Sequence, residues 1–365
     1  MKKVKKASKK LLMLIIAATM LITVLSACGD GGGSGSDEPT VVGLAMPTYH
    51  YPIWRLFGER MKIDFEAAGY TVILEYAENV VERQISQIEN MLMQGAKYII
   101  VSSVDTFAMT EICRRAKESD AVVIANDRLI MRTDDIDWYV AFDLVRNGEL
   151  MGEAVERALG LADGNGPFNM EIFSGSSDDS NAILFYTGQM SILQKYIDSG
   201  QLVIPSGQVS FEVTSIFQWD SATAQDRMDN LLGAFYNDIQ LDVALAAADI
   251  LALGVISSLE SFGYGDGGHK FPVITGQDSE LPSVNAILAG KQTMTVFLDP
   301  KDNSALNLRL VNALEAGETL TPDAHYNNET FDVPALLYDP VSIDINNYQM
   351  LIDAGIIDEA DLVYP

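Results

Sequence analysis

Val122-Val123-Ile124-Ala125-Asn126-Asp127-Arg128 is the stretch whose reading decides the fold. Four small or branched apolar residues in a row predict a strand buried on both faces, as found inside a parallel sheet. The run stops abruptly at an amide, a carboxylate and a guanidinium. In open α/β sheets, ligands bind in the crevice beyond the carboxyl ends of the strands. Asp127 offers acceptors and Arg128 a planar fork of donors, so the pair suits a ligand with adjacent hydroxyls. A plain surface ion pair at a strand end is an equally simple reading, and the flanking sequence has to separate the two.

Outward from this strand the pattern alternates. Towards the N-terminus, Val41–Met46 and Thr71–Tyr76 read as strands, and so does 98–102. Helices are expected over 53–68 and 81–94, ended by Gly69 and Gly95, and up to Ser119 from a cap at Asp105 or Thr106. Trp138–Phe142 is a further strand. The alternation then starts afresh, with helices over 147–159, 181–196, 221–235, 250–262, 282–289 and 303–315. Strands are expected between them at 168–173, 202–206, 243–246, 273–276 and 293–297. A turn over 163–167, a glycine-rich turn over 263–270, an extended tail at 333–345 and a short helix at 347–354 complete the pattern.

Strand–helix alternation at this spacing means βαβ units and parallel sheets. Two successive runs predict an α/β protein of two doubly wound, Rossmann-like lobes with a ligand cleft between them. The symmetry is one of pattern, without a close sequence repeat.

The length of 365 residues, 48% hydrophobic and 21% charged, is enough for two packed cores. Residues 1–28 read as an export signal. Six lysines precede an apolar run, Leu11 to Leu25, that is short for a bilayer span. Leu25-Ser26-Ala27-Cys28 then matches a bacterial lipobox, with Cys28 the lipidated residue; an uncleaved membrane anchor is the alternative. Residues 29–39 form a polar, glycine-rich linker spanning roughly 18 Å as a coil. Its glycines follow no strand, so they are not a phosphate loop.

Cleavage before Cys28 removes six lysines and no acids, taking the formal charge from −27 to −33. Such a charge argues against nucleic acid, whose phosphates require Lys and Arg. Cys113 is the one cysteine after Cys28 and reads as a small buried packing residue.

Nucleotide-binding, zinc-protease and serine-hydrolase signatures are missing from the sequence. His50, His269 and His325 lie far apart and suggest no metal site, although His50 is near the expected cleft. Asp178-Asp179 reads as capping before a helix rather than as an acid/base pair. What remains is a set of polar and aromatic residues at strand ends: Trp54, Asp127, Arg128, Asn181, Trp219, Asp249 and Gln277-Asp278. Sugars ask for this mixture, with charge-assisted partners for hydroxyls and flat indoles for C–H faces.

Met46-Pro47-Thr48, Ser86-Gln-Ile-Glu-Asn-Met91, Asp127-Arg128-Leu129-Ile130, Asp178-Asp-Ser-Asn-Ala182, Trp219-Asp-Ser-Ala-Thr-Ala-Gln225, Arg227-Met-Asp-Asn-Leu-Leu232 and Gly276-Gln-Asp278 carry a family resemblance. With them, the chain resembles the bacterial monosaccharide-binding proteins of the type I periplasmic binding protein fold. The closest likeness is to the ChvE-type multiple-sugar-binding receptors, and next to xylose-binding proteins. The resemblance implies that Trp54, Asp127, Arg128, Asn181, Trp219, Asp249, Gln277 and Asp278 contact sugar. It also implies chain crossings near Asp143, Gly276 and Leu298. The lobes would then be 40–143 plus 277–298, and 144–276 plus 299–365.

Relatives carry a basic residue where this chain has Ile53 and a lysine where it has Leu298. Asn126 replaces a tyrosine-like neighbour, and residues 49–53 are bulkier and more apolar. Acidic sugars are therefore disfavoured.

The expectation is a lipid-anchored, extracytoplasmic, monomeric binding protein without cofactor or metal. It would close on an aldose such as xylose, glucose, galactose or arabinose and pass it to the permease of an ABC importer. Presentation of sugar to a chemoreceptor or sensor kinase is the alternative, and a glycoside-processing enzyme a remote one.

Overall fold

The computed structural model describes residues 39–266 and 269–364. The expected signal segment, Cys28 and all but the last residue of the linker lie outside the described residues, as do two residues of the 263–270 turn. Among the described residues, no helix is long and apolar enough to cross a membrane.

The first half alternates as expected: β1 (Val41–Met46), α1 (Pro52–Ala67), β2 (Thr71–Tyr76), α2 (Val81–Met93), β3 (Ala96–Val101), α3 (Thr110–Glu118), β4 (Val122–Asn126) and β5 (Trp138–Phe142). The helix before Ser119 begins at Thr110 rather than near Thr106, because Asp105 turns its carboxylate to the Phe107 amide and holds a loop there. β4 lies mid-sheet between β3 and β5, in parallel register with both, and Val123, Ile124 and Ala125 are at most 1% exposed. An uninterrupted apolar run is what a strand covered on both faces requires.

The second half contains α4 (Leu144–Leu159), β6 (Phe168–Phe173), α5 (Ser180–Asp198), β7 (Leu202–Val203), α6 (Phe211–Thr214), α7 (Ser221–Phe235), β8 (Val243–Ala246), α8 (Asp249–Ser261), β9 (Val273–Ile274), α9 (Leu281–Leu288) and β10 (Met294–Phe297). After it come α10 (Pro300–Glu315), β11 (Ala324–Asn327), β12 (Asp332–Tyr338), β13 (Val341–Asp344) and α11 (Gln349–Asp353).

Two larger sheets form, with a two-stranded pair beside them. The first runs β11-β12-β5-β4-β3-β1-β2, and the second, all parallel, runs β7-β6-β8-β9. β10 pairs antiparallel with β13. It also bonds the end of the second sheet, through Thr293 N–H to Ile274 O (2.9 Å) and Val296 N–H to Gly276 O (3.0 Å).

This pairing corrects the expected division of the chain. Residues 277–298 stay with the second sheet, whereas α10, β11 and β12 return to the first. Tyr70 donates to Asn312 Oδ1 at 2.6 Å, Lys97 pairs with Glu315 at 2.7 Å, and β12 runs parallel to β5. The chain therefore passes between sheets near Asp143, near Leu298 and at Asp339-Pro340; Gly276 is not a crossing. The tail at 333–345 is two strands in different sheets, since Pro340 has no N–H with which to continue a ladder.

Asn126, at the end of β4, has a structural task. Its Oδ1 accepts from Asn303 (3.0 Å) and Asn307 (2.8 Å) on α10, and its Nδ2 donates to Ser102 Oγ (3.0 Å). These buried amides pin the returning helix against the strand that carries Asp127 and Arg128.

Candidate functional site: a cleft between the two sheets

Asp127 begins where β4 ends, and its backbone turns into the left-handed region at φ 64°. Asp and Asn tolerate this conformation better than most residues. Three bonds hold it there: Asp127 N–H to Val140 O (2.8 Å), Tyr139 O–H to Asp127 O (2.5 Å) and Asn181 Nδ2 to Asp127 O (2.8 Å). Asn181 also donates to Asp127 Oδ1 at 3.2 Å. Asp127 is 6% exposed. Burial raises its carboxyl pKa well above the usual range, Asp179 and Asp278 add to the rise, and Arg128 and the Asn181 bond oppose it.

Arg128 is fixed on every side. Its Nη1 donates to Ser103 O (3.0 Å) and Val104 O (3.3 Å), and its guanidinium lies 5.0 Å above the Trp54 ring. Its Nε is 2.9 Å from Asp179 Oδ2, a charge contact whose N–H direction falls outside hydrogen-bond geometry. Asp179 also caps α5 by accepting from the Asn181 amide at 2.9 Å. The capping reading of Asp178-Asp179 thus holds for Asp179, which is in addition the counter-charge of the site.

The second lobe supplies the opposite wall. Gln218 and Trp219 both have left-handed backbones, φ 54° and 55°, and Ser176 Oγ receives the Gln218 amide at 2.6 Å. The Trp219 indole lies so close to Gly175 that a Cβ there would sit 2.1 Å from ring atom Cη2. Its Nε1 is buried without a hydrogen-bond partner.

Gln277, Asp278 and Glu280 come from a tight turn in which Asp278 and Ser279 have φ 97° and 51°. Gln277 Oε1 accepts from Asn147 at 2.5 Å. Burial raises the Asp278 carboxyl to about 6 and that of Glu280 to about 7, the latter helped by the charge of Asp278.

These walls line a cleft of about 550 Å³, counting the open solvent at its mouth. Trp54, Asp127 and Arg128 line it from the first lobe, and Asn181, Trp219, Gln277 and Asp278 from the second. Two expected contacts lie elsewhere. His50 projects outward, its side chain 81% exposed and 3.1 Å from Glu78. Asp249 is fully buried behind the wall, accepting from Gln292 Nε2 (2.8 Å), Thr295 Oγ1 (2.9 Å) and the Glu280 amide (3.0 Å). It positions the 277–280 turn instead of meeting a ligand.

Tyr51 and Glu280 also line the cleft and were absent from the sequence-derived set. Tyr51 sits directly before Pro52, the first residue of α1, and Glu280 two residues past Asp278, so proximity to marked residues was the available signal. Among the described residues, no three metal-ligating side chains cluster.

The family of periplasmic binding protein domains matches residues 42–319. The chain belongs to the periplasmic binding protein family. This binding protein is 44% identical over 326 residues to the multiple sugar-binding periplasmic protein SbpA of Azospirillum brasilense, covering 89% of this chain and 91% of the relative. It is 42% identical over 328 residues to the multiple sugar-binding periplasmic receptor ChvE of Rhizobium radiobacter, covering 89% and 92%.

Among solved structures, a Clostridium phytofermentans ABC transporter solute-binding protein with bound β-D-glucose superposes with a TM-score of 0.85. It is 38% identical and covers 89% of this chain and 100% of its own. A carbohydrate transporter solute-binding protein of Chloroflexus aurantiacus in complex with D-glucose gives 0.77 at 27% identity, covering 88% and 98%.

Proposed function

We propose that this binding protein captures a monosaccharide, an aldose of pentose or hexose size, outside the cytoplasmic membrane and delivers it to an ABC importer. The observation that carries this reading is the composition of a cleft with walls from both lobes. A carboxylate, a guanidinium fork and an amide (Asp127, Arg128, Asn181) face a space bounded by two indoles, Trp54 and Trp219. Charged and amide groups bond hydroxyls, and the indoles cover the apolar faces of a sugar ring.

No bond is made or broken in the cleft. The ligand is bonded fully only when both lobes reach it, so it favours the closed form of a hinge equilibrium. The permease recognises that form. The sequence supports attachment to the outer face of the membrane through a lipid on Cys28.

The relatives named for several sugars and the glucose-bound neighbours support the ligand class. A dissociation constant near a micromolar, about −8 kcal/mol, would be ordinary for such a site. A thermal-shift screen against common pentoses and hexoses, followed by calorimetry, tests the reading. One or more aldoses raise the melting temperature and bind with a stoichiometry of one. A screen in which no aldose does so removes the proposal.

A further inference from the structure

The charges in the cleft do not balance. Asp127, Asp179, Asp278 and Glu280 line it, against one cation, Arg128. That cation is already matched by Asp179 at 2.9 Å and donates to two backbone carbonyls. Among the described residues, Asp127, Asp278 and Glu280 pair with no cation. Asp127, which lines the cavity and is 6% exposed, accepts a side-chain hydrogen bond only at Oδ1, from Asn181, among the described residues. Asp278 Oδ1 accepts from its neighbour Gln277 at 3.1 Å, and Oδ2 has no partner among the described residues. The Glu280 carboxylate accepts from no group among the described residues.

The backbone holds these acids in place. Asp278 and Ser279 are consecutive residues in the left-handed region, a conformation that costs energy and persists only where surroundings enforce it. The enforcement is visible: Asp249 Oδ2 receives the Glu280 amide at 3.0 Å, and Thr295 Oγ1 receives the Ser279 amide at 3.1 Å. A strained turn, anchored from behind by a fully buried carboxylate, thus presents two carboxylates to a cavity already short of positive charge. A neutral sugar can satisfy their acceptors but not their charge. A ligand ammonium would satisfy both.

We infer that the cleft takes sugars bearing a protonated amine, the 2-amino-2-deoxyaldoses, with the ammonium seated against Asp278 and Glu280, and that it rejects uronates. The raised carboxyls of Asp278 and Glu280 agree with this: burial lifts both, Arg128 opposes the rise only at Asp278, and no cation opposes it at Glu280. This inference rests on the monosaccharide reading and specifies the charge its ligands can carry.

The test is calorimetry at pH 7 with glucose and galactose, each alongside its 2-amino-2-deoxy derivative, its 2-deoxy derivative and its uronate. The amino sugar is expected to bind at least as tightly as the parent and more tightly than the 2-deoxy sugar, with no measurable uronate binding. In E280Q and in D278N, the ratio of amino-sugar to parent affinity falls by about tenfold or more, as expected for loss of a charge-assisted bond. Normalising to the parent sugar in each variant separates this effect from any general damage to the cleft. Amino sugars that bind about tenfold more weakly than their parents, uronates that bind as well as the parents, or a ratio unchanged in both variants would each overturn the inference while leaving monosaccharide binding intact. Failure of every parent sugar and every derivative to bind would remove the monosaccharide reading, and this inference with it.

Discussion

Replacing Asp127 by Asn should move sugar affinity and stability in opposite directions. The exchange is nearly isosteric, and Asn tolerates the left-handed backbone at φ 64° as readily as Asp does. The bonds from Tyr139 and Asn181 to the backbone carbonyl are untouched, and the amide oxygen can still accept from Asn181 Nδ2. What disappears is a buried charge whose burial is opposed by the nearby carboxylates of Asp179 and Asp278.

Binding loses a charge-assisted hydrogen bond to a sugar hydroxyl, about 1.5–3 kcal/mol. That corresponds to roughly a 10- to 150-fold weaker dissociation constant. The ligand-free protein should instead melt higher, at roughly 2–4 °C per kcal/mol of repulsion and desolvation removed. Calorimetry with the aldose found by screening and a thermal melt of the ligand-free variant read the two signs separately. An unchanged affinity would show that Asp127 is not a ligand contact. A lowered melting temperature would show that its charge is better satisfied than the structure indicates.

Three further outcomes follow from the same geometry. In G175A the new methyl would sit 2.1 Å from Trp219 Cη2, so the indole must leave its place; affinity should fall roughly tenfold, and an unchanged value would mean that this indole does not cover the sugar. D249A strips the acceptor from Gln292, Thr295 and the Glu280 amide in a fully buried site, which should cost about 3 kcal/mol or more and weaken binding by releasing the 277–280 turn. H50A should leave affinity within about twofold, because the side chain points to solvent, and a tenfold loss by calorimetry would return it to the site.

A fourth concerns pH. The folded carboxyls of Asp278 and Glu280 are raised to about 6 and about 7. A raised acid contributes stability below its unfolded pKa and loses that contribution as pH climbs through the folded value. The ligand-free melting temperature should therefore decline from pH 5 to pH 8, and the D278N/E280Q double variant should flatten the decline. A rise over that interval in the natural protein contradicts the assignment.

The sequence by itself determined the elements and the class of fold. Val122–Asn126 is a strand because an unbroken apolar run can be stable only when covered on both faces, and the alternation around it required parallel sheets flanked by helices. It also marked Asp127, Arg128, Asn181 and Trp219, since residues at the carboxyl ends of parallel strands or at the helix starts beyond them face a crevice wherever the sheet lies. These readings depend only on local periodicity and chain direction.

Tertiary structure alone decided which sheet each late strand joins. β12 carries nothing in its residues that chooses β5 over β10; the choice comes from Asn303 and Asn307 docking on Asn126 and from the break at Pro340. It likewise separated Asp249 from Asp127. Both are acids just beyond the ends of parallel strands, but Gly276 leaves room for the Asp249 carboxylate beneath the wall, where Gln292 and Thr295 donate to it. Whether a carboxylate meets ligand or protein is set by the donors within about 3 Å of it. Those donors come from segments distant in sequence.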